Sequence, residues 1–588
     1  MTGEQPPPTL RVPDRLFAEL ATGGGSSEAL ACLERGERAR RLLLLRTALA
    51  HIDARDARDA APSPVGAPAD AWRVLKAVAG QAPDVVEDLL LAPQTGGWLA
   101  HLLRRVHHTA SGPPLWAETG HLNVLAVTAA LRADLESDLL VPLVDGALVL
   151  PGLGLARLPD SRRGHSVGRA ATKAGELTLT SVDGEACLVC RPRTVPATGC
   201  AAPPAVAVPE AAAAHWVPLR TLSPNGSADA AAIPLDDLGP YRDLDEPIAP
   251  DRLDADEAVA WQKLFDDAVG ILAVRSEPGP GRLDPALIRT IVPWGRTAAT
   301  PTPPPVVELS ASTGDAFGSM MITRPATGLA LAEALVHEFQ HSKLGALLHL
   351  FPLLDDDREE RYYAPWRSDP RHLTGCLHGA YAFTGVAGFW RDRMAEPEHA
   401  GAAAYHFALR RAQARLVVRT LLTSGRLTAP GRRLVTGLAG TLDGWLREPV
   451  APEALARART AAALHRTEWR LRNVVAAEDG AAGDGGPAPL RFRPDRVLWA
   501  DRRTHAFAVP PAAPRTADDH LAAGDPATAL ARYAEALAHD PGDAHLLAGW
   551  IVARAALGND RPARRLLARP ELVQVGLTDT DFGLRDPS

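Results

Sequence analysis

The chain has 588 residues, 46% of them hydrophobic and 23% charged, with a net charge of −7. That length exceeds one ordinary domain and calls for two to four structural units. The acidic balance argues against a general nucleic-acid binder or a protein drawn to anionic membranes. No apolar run reaches the roughly 18 residues that would span a bilayer, and no early basic-plus-apolar segment reads as a signal peptide, so a cytoplasmic location is expected. Five cysteines, an odd number in so long a chain, do not form a disulfide framework.

In chain order, the pattern predicts a helical region over residues 1–140. SSEALACLERGERARRLLLLRTALAHI, ADAWRVLKAVAG and LNVLAVTAALRADL all carry apolar residues at helical spacing. Residues 141–250 turn toward strands. LLVPLVDGALVLPGLG opens this region, and GELTLTSVDGEACLVCR reads as a hairpin about Asp183-Gly184. Cys187 and Cys190 form a CxxC in that second strand, and positions three apart on a strand face opposite ways, so two strand cysteines are expected rather than half of a zinc ribbon. PLDDLGPYRDLDEPIAP, near 234–250, reads as a connecting loop.

Residues 251–477 form the third region. It opens on the helical ADEAVAWQKLFDDAVGIL, passes through a strand candidate GSMMIT, and is helical from there. A linker over 478–515, begun by the Gly- and Ala-rich EDGAAGDGGPAP, leads to a helical tail over 516–588. Within the tail, ADDHLAAGDPATALARYAEALAHDPGDAHLLAGWIVARAALG resembles a tetratricopeptide unit. One unit is clear, and a stable array takes about three, so a helical hairpin packed on the main body is the competing expectation.

TGLALAEALVHEFQHSKLGALLHL has the composition of one long helix with a stop near Phe351-Pro352. His337 and His341 stand four apart, so both imidazoles project from one face and can chelate one ion. Glu338, about 100° round the helix, is close enough to act on a metal-bound water, which is the arrangement of a zinc metallopeptidase. The apolar flanks mark a core helix, in which unpartnered histidines would be costly.

The pair needs a further ligand. His349 lies eight residues on, more than about 10 Å along the axis, and the DDDREE run at 355–360 reads as a solvated loop. His372 is also in range. His378, in CLHGAYAFTGVAGFW, sits on a second buried helix where Gly379 and Ala380 leave room for close approach, and is the first choice.

Together with YYAPWRSDPRHLTGCLHGAYAFTGVAGFW and ASTGDAFGSMMITRP, the segment LVHEFQHSKLGALLHL resembles the HExxH-type peptide β-hydroxylases, iron- and 2-oxoglutarate-dependent enzymes that tailor ribosomally made peptides. The resemblance runs from about residue 10 to 475 and takes in GHLNVLAVTAALRADL, VPLVDGALVLPGLGLARL, PLDDLGPYRDL and LLTSGRLTAPGRRL. It implies Fe(II) held by His337, His341 and His378, with 2-oxoglutarate as cosubstrate. Glu338 would then be a catalytic, supporting or ligating residue. The implied substrate is a precursor peptide bearing a side chain such as Asp, and a radical-SAM peptide maturase is the implied partner.

The distal carboxylate of 2-oxoglutarate calls for arginine. Arg367 and Arg371 are the first candidates and Arg410, Arg411 and Arg415 the reserve, with pairing to Asp369 the competing role for the first two. GDAFGSMMIT is placed to align an extended peptide, with Gly314 and Gly318 permitting close approach, unless it is an ordinary interior strand. The expectation is thus an α+β, predominantly helical multi-domain enzyme with a zincin-like core. Zinc peptidase and non-catalytic maturase partner are the alternatives.

Overall fold

The structure is a computed structural model. It describes residues 11–56, 63–159, 163–193, 195–196, 215–224, 232–273, 277–294, 309–476, 490–495, 498–499, 501, 503–558 and 561–571. The chain forms two compact units that alternate along the sequence. The first comprises Met1–Pro13, Ser26–Glu277 and Arg282–Phe351, the second Asp14–Gly25, Pro278–Gly281 and Pro352–Ser588. The region 251–477 therefore divides between them just after the motif helix.

The first unit is α+β. Its helices α2 (Ser27–Asp56), α3 (Pro68–Gln81), α4 (Pro83–Leu91), α5 (Pro93–Val106), α6 (Leu115–Thr119) and α7 (His121–Arg132) cover the stretch read as helical. Proline opens α3, α4 and α5 at the position where its missing N–H costs nothing. From His121 to Leu131, α7 is buried on every face, as a mainly apolar run requires, and its polar Asn123 and Thr128 are hydrogen-bonded to backbone carbonyls.

Among the described residues, α7 packs on a seven-stranded sheet ordered β6-β5-β4-β1-β2-β3-β8. Its members are β1 (Ser137–Val144), β2 (Ala147–Leu150), β3 (Gly154–Arg157), β4 (His165–Lys173), β5 (Glu176–Ser181), β6 (Cys187–Cys190) and β8 (Trp216–Pro218). The expected hairpin is β5–β6, and β6 alternates exposed and buried so that Cys187 faces out and Cys190 in. Leu99, Leu122, Val141 and Leu179 lie in the core between helices and sheet.

The second sheet of this unit runs β12-β13-β11-β10-β9-β7. It is built from β7 (Val195–Pro196), β9 (Arg220–Leu222), β10 (Ile233–Leu235), β11 (Thr290–Pro293), β12 (Ser310–Ala311) and β13 (Ser319–Ile322). Two helices accompany this sheet. In α8 (Ala255–Leu272) the Asp254 carboxylate caps the Glu257 N–H at 2.7 Å. In α9 (Gly328–Leu350), the motif helix, the Thr327 hydroxyl accepts from Ala330 N–H at 3.2 Å. The helix α9 packs against α8, α2, β12 and β13. The segment near 234–250, read as a connecting loop, is anchored rather than loose. Asp236 and Asp237 in it are 1–2% exposed, and Asp236 Oδ1 accepts from the Gly239 N–H at 2.7 Å.

The second unit is nearly all helix. It contains α1 (Asp14–Ala21), α10 (Leu373–Arg393), α11 (Ala400–Thr423), α12 (Ala429–Leu446) and α13 (Pro452–Asn473). The tail follows as α14 (Arg503–Ala506), α15 (Ala517–Ala522), α16 (Pro526–His539), α17 (Ala544–Leu557) and α18 (Arg561–Ala568). Of the linker read over 478–515, residues 478–489 lie outside the described residues. The remainder contains β15 (Leu490–Phe492), which pairs antiparallel with β14 (Val474–Ala476). Among the described residues no helix is long and apolar enough to cross a membrane.

Candidate metal centre

His337 and His341 lie one turn apart on α9, both half-buried, with their Nε2 atoms 3.1 Å from one another and the rings 77° apart. Two metal–nitrogen bonds of about 2.1 Å at an angle between tetrahedral and octahedral put the nitrogens about 3.0–3.4 Å apart. The spacing therefore fits two imidazoles sharing one ion. Helical geometry alone produces this, since residues i and i+4 stack on one face.

Glu338 is only 1% exposed. Its Oε1 accepts a hydrogen bond from the Ser310 hydroxyl at 2.6 Å, while its Oε2 has no hydrogen-bond partner among the described residues. Leaving a buried acceptor unpaired costs about 1–3 kcal/mol. That cost is retained beside two converging imidazoles, where a metal-bound group would relieve it. Ser310 is the residue that sequence reasoning missed. It comes from β12, the edge strand, which pairs antiparallel with β13 through Ser310 opposite Ile322. Elsewhere on α9, the Ser342 hydroxyl accepts from the Gly318 N–H at 3.3 Å, and burial pushes the Lys343 ammonium down to about 7.

The segment expected to align a peptide takes the competing role. The strand β13 lies between β12 and β11, and all four of its residues are buried, so it is interior. Gly318 adopts a left-handed φ of +78° in the turn entering β13, with the Arg289 stem against it, so its glycine serves the turn. The edge position belongs to β12.

His378, Arg367 and Arg371 belong to the second unit. Among the described residues no group of three or more His, Cys, Asp or Glu side chains is placed to hold an ion. Burial, together with His372 and Arg371 nearby, pushes the His378 imidazole down to about 4, so it is neutral at pH 7 and has the protonation state of a ligand. The room at Gly379 is filled from within the unit, because a Cβ there would lie 2.3 Å from the Trp366 indole.

Arg367 Nε donates to Asp369 Oδ1 at 3.0 Å and Arg371 donates to Oδ2 at 3.2 Å, so one carboxylate holds both. Of the reserve arginines, Arg411 is bonded to the Trp445 and Glu448 carbonyls and Arg415 to Asp443. Arg410, 6% exposed, has the Gln413 side-chain amide as a partner at 3.0 Å and lies 4.7 Å from the centre of the Phe383 ring.

His349 pairs with Glu37 at 2.7 Å. The DDDREE run departs from the expected solvated loop at Asp356, which accepts from His372 Nδ1 at 2.8 Å and from the Thr374 hydroxyl at 2.6 Å. Burial alone would raise the Asp356 carboxyl, but the Thr374 and His372 hydrogen bonds outweigh it and hold the group well below the usual carboxylate range. Asp356 and His372 are thus fastened to the first turn of α10.

One family comparison succeeds. Residues 520–574 match the tetratricopeptide repeat model, which supports the reading of the tail, and repeats of this kind commonly mediate protein–protein contacts. No curated protein matches the chain.

Proposed function

We propose that the protein is an Fe(II)- and 2-oxoglutarate-dependent β-hydroxylase of a ribosomally made precursor peptide, built on a zincin-like HExxH core. The observation that carries this reading is the convergence of His337 and His341 at 3.1 Å beside the buried, half-satisfied Glu338. The resemblance of the surrounding motifs selects iron over zinc. His378 is the proposed third ligand. When bound, the ferrous ion and its keto-acid cosubstrate supply the C–H oxidation chemistry.

The chain's own contributions are simpler. His337 and His341 hold one face of the ion. Glu338, fixed through Oε1 by Ser310, offers Oε2 as a hydrogen-bond acceptor at that face. The apolar surroundings of α9 keep bulk water out. Arg367 and Arg371 are the proposed anchors for the distal carboxylate, which would compete with Asp369 for them. Arg410, whose partner is a neutral amide, is the arginine of the reserve set that a carboxylate can engage without displacing another.

One observation favours a second reading. A buried glutamate oxygen without a partner, one residue from a metal-binding histidine, is also what a hydrolytic base requires, so a zinc metallopeptidase is the alternative. A non-catalytic peptide-binding partner is the third.

The test is anaerobic protein given Fe(II), 2-oxoglutarate and precursor peptide, then air. Succinate and a peptide one oxygen heavier support the hydroxylase. Cleaved peptide with zinc supports the peptidase, and bound but unchanged peptide supports the adaptor. His341→Ala is expected to lose metal by elemental analysis, and Glu338→Gln to abolish hydrolysis but leave some hydroxylation. Full activity and full iron content in His378→Ala would remove it as the third ligand.

A further inference from the structure

The first unit contains a cavity that the metal centre does not use. It measures about 560 Å³ and lies among α6, α7, the β1–β2 hairpin and the segment Pro240–Pro250. That volume falls in the usual range for small-molecule sites, about 300–1,000 Å³. Most of its wall is apolar, contributed by residues such as Pro142, Val144 and Ala147.

Three polar side chains converge on it although none is more than 7% exposed: Glu118, His121 and Tyr241. The Glu118 carboxylate is charge-matched, with His101 Nδ1 hydrogen-bonded to Oε1 and an Arg105 nitrogen 3.4 Å from Oε2. Even so, Glu118 Oε2 and His121 Nε2 have no hydrogen-bond partner among the described residues. The His121 ring is held edge-on by Tyr241, 5.0 Å between centres. Burial keeps it neutral by pushing its pKa down to about 3. At the mouth, Arg157 and His165 stand among Asp145 and Glu246, so neither sign dominates.

An apolar chamber of this volume with a balanced mouth has the form of a small-molecule site. We propose that this cavity binds an uncharged, mainly apolar small molecule. An anion would meet the Glu118 carboxylate, whose compensating Arg105 charge is already engaged, and a cation would lose its hydration in an apolar chamber. The inference does not depend on the reaction assigned to the metal centre.

The test uses the full chain and N-phenyl-1-naphthylamine, a neutral fluorophore with one N–H that brightens in apolar surroundings. Saturable one-to-one binding is expected. Val144→Trp, which places an indole at the mouth from a residue 50% exposed, is expected to weaken it by about ten-fold or more. Val182→Trp, 68% exposed on the β5–β6 turn, is expected to leave binding unchanged.

Absence of saturable binding overturns the proposal, as does equal affinity in Val144→Trp and the unaltered protein. Tighter Val144-dependent binding of the anionic 8-anilinonaphthalene-1-sulfonate overturns the preference for an uncharged ligand.

Discussion

At the scale of single residues, the convergence of His337 and His341 was legible because it is local. Two histidines four apart on a helix meet whatever the rest of the chain does. Ser310 was not legible, because its bond to Glu338 joins residues 28 apart through a strand of only two residues. Neighbours across elements carry no spacing signal.

That bond makes a prediction. A hydrogen bond to a charged group is worth about 1.5–3 kcal/mol, and Ser310 sets where Oε2 points rather than whether metal binds. Ser310→Ala is therefore expected to keep its metal content, lower kcat about ten-fold or more with KM little changed, and recover in Ser310→Thr. Loss of metal in Ser310→Ala would assign it a structural role instead. The arginines differ: Arg367 and Arg371 were read as candidate anchors with pairing to Asp369 as the competing role, and that pairing, between residues two apart, is what is found.

At the scale of elements, helices with clear caps came through, and α8 and α9 match the patterns read for them because Asp254 and Thr327 close their first turns. The strand before the motif shows where pattern reading went astray. GSMMIT was placed as a substrate-aligning segment, yet Met320, Met321 and Ile322 form an unbroken apolar run, which marks a strand buried on both faces. The interior strand, the alternative reading of this segment, is what is found.

The tail is the converse case. Its repeat-like pattern was weighed against a helical hairpin packed on the main body, and α17 does pack on α13, with a polar network joining them. Glu468 Oε2 is 3.1 Å from Arg503 Nη1 and 3.2 Å from His545 Nδ1, and Asp518 accepts from Arg503, His545 and Tyr533. One clear repeat cannot bury its own face, and here α13 supplies the missing surface. Removing one partner of such a network typically costs about 3–5 kcal/mol because charge is left uncompensated. Glu468→Gln is accordingly expected to speed hydrogen exchange across 517–557 while leaving α10–α12 protected. Unchanged exchange in the tail would mean the network does not hold it.

At the scale of the whole molecule, length led to the expectation of several units, and two are found, but their alternation along the chain was not readable, since compositional breaks mark linkers and not returns. What composition also conceals is how many histidines end up inside. Burial pushes His121 down to about 3 and His406, stacked on Trp390, well below its ordinary value. His465, whose Nδ1 lies 2.8 Å from the Tyr363 hydroxyl, is also lowered by burial, with Asp501 and Glu468 opposing the shift.

Each of these groups binds a proton more readily unfolded than folded. Their contribution to stability is therefore whole above the unfolded value near pH 6.5 and is lost as the pH falls below it. The slope approaches about 1.4 kcal/mol per pH unit for each fully buried histidine. Glu468 and Asp518, whose folded values are lowered, add to the loss only when the pH reaches the ordinary carboxylate range. His545 is opposite in sign. Burial opposes its charge, but Asp518 and Glu468 raise it to about 9, so its stabilisation is whole below about pH 6.5 and is lost as the pH rises from there through about 9.

Between about pH 6.5 and 4.5 the buried histidines therefore dominate, and calorimetric melting temperatures are expected to fall progressively from pH 7 toward pH 5. His121→Phe should flatten that fall for the first unit. A melting temperature that does not change between pH 7 and 5 would show that these imidazoles reach solvent and titrate as they do in the unfolded chain.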